Sequence, residues 1–188
     1  MNKIIIDEIS NCLSKKDKII IAIDGKSASG KTTLANKLLE FFDCNVFHID
    51  DFYVPFEMRT DDRMMNIGGN IHFERFTEEV INNLKSNKAF EYGVFSCTDG
   101  KVNHYVSVEP KKINIIEGVY CMHPCIRNIY DLKILLTISE EEQHKRLKQR
   151  NPEKLDQFIR QWIPRENMYF NSINVDESYD LILDINSI

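Results

Sequence analysis

Residues 18–42 read KIIIAIDGKSASGKTTLANKLLEFF, and the succession of parts in this stretch decides the fold. Lys18 to Ile23 is almost wholly apolar and largely β-branched, the composition of a strand buried on both faces. Gly25 to Thr32 is a full G-x-x-x-x-G-K-[ST] match. Thr32 to Phe42 then carries helical spacing. Glycine at 25 and 30 lets the backbone curl so that successive N–H groups point at phosphate oxygens. The helix N-terminus adds free donors and the positive end of its dipole. Lys31 can reach the outer phosphates, and the Thr32 hydroxyl can ligate magnesium. The set Gly25, Lys26, Ser27, Ala28, Ser29, Gly30, Lys31, Thr32 and Thr33 is therefore expected to hold a nucleoside triphosphate with Mg2+. A chance Gly/Ser-rich turn would not come with a strand directly before it and a helix directly after.

Outward from this unit the rhythm repeats. Apolar runs recur at Asn45 to Ile49, Ile113 to Ile116, Leu132 to Ile138 and Leu181 to Ile185. Helical spacing lies between them at Phe73 to Leu84, Glu140 to Arg150 and Lys154 to Phe170. Strand and helix in alternation predict an α/β fold, a five-stranded parallel sheet covered by helices in three layers. Phe90 to Val108 breaks the rhythm: its tyrosines, Asp99-Gly100 and flanking alternation suggest a β-hairpin inserted near the mouth of the sheet. Pro55 to Asn70, polar and carrying Gly68-Gly69, reads as a mobile loop over the site. No linker divides the 188 residues, so residues 1–188 are expected to be one domain.

Bulk properties exclude several classes. A net charge of −5 disfavours a nucleic acid polymer as partner, so any anion site must be local. Five cysteines, an odd number without a CxxC pair, argue for a reducing compartment over a secreted disulfide framework. Met1 to Ser10 has no secretory h-region and no stretch approaches a membrane span, so the expected location is cytoplasmic. Cys121-Met122-His123-Pro124-Cys125 matches no zinc spacing and lacks an obvious fourth ligand.

Three further clusters carry chemistry. His48-Ile49-Asp50-Asp51-Phe52-Tyr53 ends a strand predicted to run parallel to the first, and ligands in such sheets bind beyond the carboxyl ends. Alternation sends only one of the two carboxylates toward a transferred phosphate, where it can accept a hydroxyl proton. The other takes a capping role in a turn, a role that suits Asp51, and alternation alone does not choose between the two. Glu117 ends the apolar run at Ile113 to Ile116, where it can serve the metal's water shell. Arg146 and Arg150, four apart, share one helical face and can meet charge on phosphoryl oxygens, although most such runs are solvated faces.

At these residues the chain resembles the uridine kinase and phosphoribulokinase group of P-loop kinases. IAIDGKSASGKTTLA (21–35) and HIDDFYVP (48–55) carry the likeness. GGN (68–70), FERFTEEV (73–80), INIIEGVY (113–120), YDLKILL (130–136), QHKRLKQR (143–150) and WIPRENMYF (162–170) continue it in order. The resemblance implies a P-loop NTPase fold with a helical lid at about residues 140–168, ATP and Mg2+ as cofactors, and a small-molecule hydroxyl acceptor. It implies Asp50 as general base, Glu117 near magnesium and substrate, and Tyr53 packed beside the substrate. It makes Arg146 and Arg150 lid residues closing over ATP, with Arg165 a further lid candidate; relatives are often homo-oligomers. The chain departs from the pattern at the acceptor. His72 stands where the family holds ribose with an aspartate, and Tyr92 is kept while the histidine that reads the base is lost. Tyr92 either contacts a substrate or packs in the core. A pyrimidine nucleoside is the leading acceptor, with nicotinamide riboside or a pantothenate-like alcohol as alternatives. A non-catalytic nucleotide-binding regulator with a GTPase-like core is the reading from another class. Against it, Asn36-Lys37 and Asn87-Lys88 lack the aspartate of a guanine-reading segment.

Overall fold

The computed structural model describes residues 3–185, without the side chain of Asp176. Five parallel strands form the central sheet: β1 (Ile19–Gly25), β2 (Cys44–His48), β5 (Ile113–Glu117), β6 (Leu132–Thr137) and β7 (Leu181–Asp184), in the order β2-β5-β1-β6-β7. The remaining strands, β3 (Phe90–Ser96) and β4 (Lys101–Val108), pair antiparallel in the expected hairpin. Register matters for the site. His48 and Ile23 both stand opposite Glu117, so the carboxyl ends of three strands lie level.

The pleat of β1 sorts its side chains into two cores. Ile19, Ile21 and Ile23 face Ile5 and Ile9 of the helix Lys3–Lys15 and Leu34, Ala35 and Leu38 of the helix Lys31–Leu39. Ala22 faces the opposite way, with Phe47 and Ile116, toward Phe52, Phe76, Val80, Tyr92 and Tyr169. Three layers result, because each sheet face must be covered. The helix Lys3–Lys15 goes beyond the sequence reading, which placed no element before Lys18. Its warrant is the apolar series Ile5, Ile9, Cys12 and Leu13, one face of a helix.

Three segments depart from expectation in detail. Phe73 to Leu84 is interrupted by a wide π-type turn at Thr77–Ile81. Lys154 to Phe170 is not one regular helix: it runs as Leu155–Gln157, a wide π-type turn at Phe158–Trp162, then Ile163–Asn171. Pro164 stands directly after the wide turn. It has no N–H to donate, and its ring would crowd the Arg160 carbonyl of a regular helix. Pro55 to Asn70 is not a featureless loop. Thr60 caps a short helix at Asp61–Met65, and the Arg63 guanidinium ties the segment to the carbonyls of Gly69 (3.0 Å) and Ile71 (3.1 Å).

Candidate active site

The phosphate-binding loop sits between β1 and the helix Lys31–Leu39, as its sequence requires. At Gly25 a Cβ would lie 2.5 Å from the Leu136 carbonyl oxygen, so the loop leaves the strand through a gap only glycine fits. Gly30 turns into the helix at φ +91°, a left-handed conformation open to glycine. Lys31 is buried and its ammonium donates to the carbonyls of Gly25 (2.9 Å) and Lys26 (3.0 Å), closing the loop on itself. The Ser29 hydroxyl is buried within the loop without a hydrogen-bond partner among the described residues.

Beside the loop lie the acidic groups. The residues after β2 form a tight 3-10 turn, Ile49–Phe52, and that turn parts the two aspartates where a strand pleat had been expected to. Asp50 faces the cleft, and the Tyr53 hydroxyl donates to its Oδ1 at 3.1 Å. Enclosure by the cleft walls pushes the Asp50 carboxyl above the usual carboxylate range, against the pull of Lys31 and of the Tyr53 hydrogen bond. Asp51 turns away: its Oδ2 accepts from the Tyr92 hydroxyl at 3.2 Å and its carbonyl from Arg75 at 2.7 Å.

Glu117 is buried at the end of β5. Its Oε1 accepts from the Thr32 hydroxyl (2.9 Å) and meets His48 Nδ1 (2.6 Å). Burial alone would push this carboxyl up. The His48 hydrogen bond and the Lys31 charge outweigh it and hold Glu117 below the usual range. The same contact raises His48. A hydroxyl and an ionised carboxylate in contact, both oxygen donors, suit a hard cation such as magnesium. Thr32 and Glu117 therefore fit the metal that the phosphate loop implies.

The cleft encloses about 790 Å³, ample for a small ligand. Its far wall is helical. Arg146, Arg150 and Arg165 all line it, as do Trp162 and Glu166. Arg146 bonds Glu142 in its own helix (2.9 Å) and the Ala28 carbonyl of the phosphate loop (3.5 Å), and among the described residues Arg150 bonds only the adjacent Asn151 (3.1 Å). This wall is rooted in the phosphate loop. Fully buried Gln143 donates to the Ser27 carbonyl (3.1 Å) and to Glu166 (3.1 Å), and Glu166 accepts from both the amide (3.1 Å) and the hydroxyl of Ser27.

Two expected substrate residues lie elsewhere. His72 caps the helix starting at Phe73 and contacts Glu74 at 3.0 Å; Asn70, two residues earlier, is the one that reaches the cleft. Tyr92 is buried against Phe52 and Phe47, which selects core packing of the two readings. Conversely, the sequence reading passed over Asp24, His48, Tyr120, Gln143 and Glu166. Asp24 has the clearest signal, a carboxylate directly after a wholly apolar strand. It is fully buried, accepting from Gly25 N–H (2.8 Å) and from the hydroxyls of Tyr169 (2.5 Å) and Tyr179 (2.8 Å).

A nucleotide-binding α/β core with a carboxylate facing its phosphate loop defines a P-loop kinase site. The chain matches the Phosphoribulokinase / Uridine kinase family over residues 20–179, and it belongs to that family. It is a phosphotransferase that acts on hydroxyl groups. It is 28% identical over 182 residues to a uridine kinase of Limosilactobacillus reuteri, covering 89% of this chain and 84% of that protein. It is 26% identical over 126 residues to uridine-cytidine kinase C of Dictyostelium discoideum, covering 66% of this chain but only 28% of that longer protein. Among solved structures, one described as a possible uridine kinase from Bacillus stearothermophilus superposes with a TM-score of 0.69 at 20% identity, over 94% of this chain and 96% of its own. D-glycerate 3-kinase from Cryptococcus neoformans superposes with 0.64 at 14% identity, over 96% and 93%. These two likenesses show the fold. Among the described residues no helix is long and apolar enough to cross a membrane.

Proposed function

We propose that this chain transfers the γ-phosphate of ATP to a hydroxyl of a pyrimidine nucleoside, uridine or cytidine. The observation that carries the transfer is Asp50, held by Tyr53 in the same cleft as Lys31, Thr32 and Glu117. The names of the curated relatives support the nucleoside.

Each role follows from placement. The loop amides and Lys31 hold the phosphates, while Thr32 and Glu117 would hold magnesium, which would supply charge neutralisation. Asp50 accepts the proton of the acceptor hydroxyl as that oxygen forms its bond to the γ-phosphorus, and the bond to the ADP oxygen breaks. Arg146 and Arg150 meet the charge on the transferred group, and Arg165 closes the acceptor end. Little covalent work falls to the protein; positioning and fixed charge do most of it. Five unpaired cysteines suit a reducing, cytoplasmic setting.

One feature favours a second acceptor class, a hydroxy acid of the pantothenate type. Arg59 and Arg165 both line the cleft, and among the described residues neither pairs with a carboxylate. A coupled ADP-release assay with MgATP against uridine, cytidine, nicotinamide riboside and pantothenate decides between them. The expected result is turnover with uridine or cytidine, lost in Asp50→Asn while ATP still binds. Turnover no higher than bare ATP hydrolysis with every acceptor would leave a nucleotide-binding regulator as the better description.

A further inference from the structure

Tyr120 has a backbone conformation that a bulky residue adopts only when its surroundings impose it. Its φ is +77°, in the left-handed region, and such strain gathers at functional sites. The turn that imposes it is fastened on every side. Gly118 N–H donates to the Ile23 carbonyl (3.2 Å), and His123 N–H to the carbonyl of Tyr120 itself (3.0 Å). The Met122 N–H is shared between Asp24 Oδ2 (3.3 Å) and the Tyr169 hydroxyl (2.8 Å). Phosphoryl transfer has no direct use for the buried group of Asp24, Tyr169 and Tyr179. Its evident task is to anchor this turn at the end of β5 and to join it to Gly25 of the phosphate loop.

The strain places a hydroxyl in the cleft. The Tyr120 ring is 6% exposed and packs edge-on to Tyr169, with centroids 4.9 Å apart. Among the described residues no group hydrogen-bonds its hydroxyl, yet that hydroxyl is not sealed in the core as the unpartnered Tyr130 hydroxyl is. It belongs to the wall that also carries Asp50, Tyr53, Arg165 and Glu166, and it feels the charges of Glu166, Arg165 and Asp50, in that order. Burial keeps the phenol protonated at neutral pH, so it offers a hydrogen and Asp50 offers lone pairs.

We propose that Tyr120 binds the phosphate acceptor, its hydroxyl donating a hydrogen bond to a second oxygen of the acceptor while Asp50 takes the proton of the reacting one. This rests on the kinase reading above and names a residue of its acceptor subsite. Asp50 alone leaves the acceptor free to rotate about one contact; a donor and an acceptor group together fix two oxygens.

Tyr120→Phe tests it, since the ring stays packed on Tyr169 and only the hydroxyl is lost. With MgATP and whichever of uridine or cytidine turns over faster, kcat/KM for the nucleoside should fall roughly three- to tenfold, the worth of one neutral hydrogen bond. The loss should lie mainly in the nucleoside KM, with the KM for ATP and the melting temperature unchanged. An unchanged nucleoside KM sinks the proposal, and so does a loss matched by a lower melting temperature or a raised KM for ATP. If the unmodified chain phosphorylates neither nucleoside, the nucleoside reading and this proposal fall together. If it does and Tyr120→Phe matches it, only this proposal falls.

Discussion

The two walls of the cleft are built in opposite ways. On the sheet side the charged groups are cross-linked to structure that cannot move alone: Lys31 to the loop carbonyls, Glu117 to Thr32 and His48, Asp50 to Tyr53. On the helical side the guanidinium groups of Arg146 and Arg150 bond chiefly to side chains of their own segment. The root of that wall is fixed by Gln143 and Glu166 against Ser27 and by Leu147, Phe158 and Ile163 packed with Ala28. Under the proposed function, the difference teaches that charge needed at one position throughout the reaction is preorganised, while charge that would close over a ligand is left on side chains free to change partners.

Substitutions can break this contrast in order of expected effect. Lys31→Ala removes the most constrained cation and should lower kcat/KM by on the order of 10²–10³, the scale seen for one preorganised donor. Steady-state kinetics alongside a melting curve separates that loss from unfolding. Arg150→Ala on the opposite wall should lower kcat/KM by about ten- to a hundredfold, one charge-assisted hydrogen bond of ~1.5–3 kcal/mol. Its melting temperature should not change, because Arg150 is exposed and among the described residues bonds only Asn151. A lower melting temperature there would show that the arginine supports the fold.

Glu166→Ala attacks a buried tie of the helical wall. It leaves the Ser27 amide and hydroxyl and one N–H of Gln143 without their carboxylate partner, which costs about 1–3 kcal/mol. Differential scanning should show this as a fall of about 2–4 °C per kcal/mol in a chain this size. Arg160→Ala breaks a pair with Asp156 in which the two side chains are 75% and 74% exposed, and it should leave both melting temperature and turnover unchanged. The pH profile sharpens the sheet side. The Asp50 carboxyl is raised, and only its ionised form accepts a proton. Activity should therefore be full above its raised pKa and fall as pH drops through it, at a pH higher than an ordinary aspartate would set. An acid limb near the model-peptide value of about 3.9 would show that Asp50 is not the titrating base.

Much of the site was legible because its chemistry is written in adjacent residues. The phosphate loop is a contiguous motif between a strand and a helix, and its geometry follows from glycine spacing alone. Asp50 and Glu117 were found because each ends an apolar run, and parallel strands bring such ends together. The residues that were missed act across the chain. Glu166 meets Ser27 from 139 residues away and Tyr169 meets Asp24 from 145, distances over which no periodicity carries information. His72 was expected at the substrate and Tyr92 was left between substrate and core, because only the path of the segments around them says whether a side chain faces the cleft or the core.

The amino-acid order by itself determined the alternation of strand and helix, the phosphate cradle at residues 25–32, and the two acidic strand ends. These depend on local conformation and on burial at periods of two and 3.6, which a chain cannot escape. Tertiary structure alone decided that Asp50 faces the cleft and Asp51 the core, that Glu166 and Gln143 root the helical wall in Ser27, and that a buried carboxylate holds Tyr120 in a strained turn. Each of these depends on contacts between distant segments. Such contacts exist only once both sheet faces have been covered.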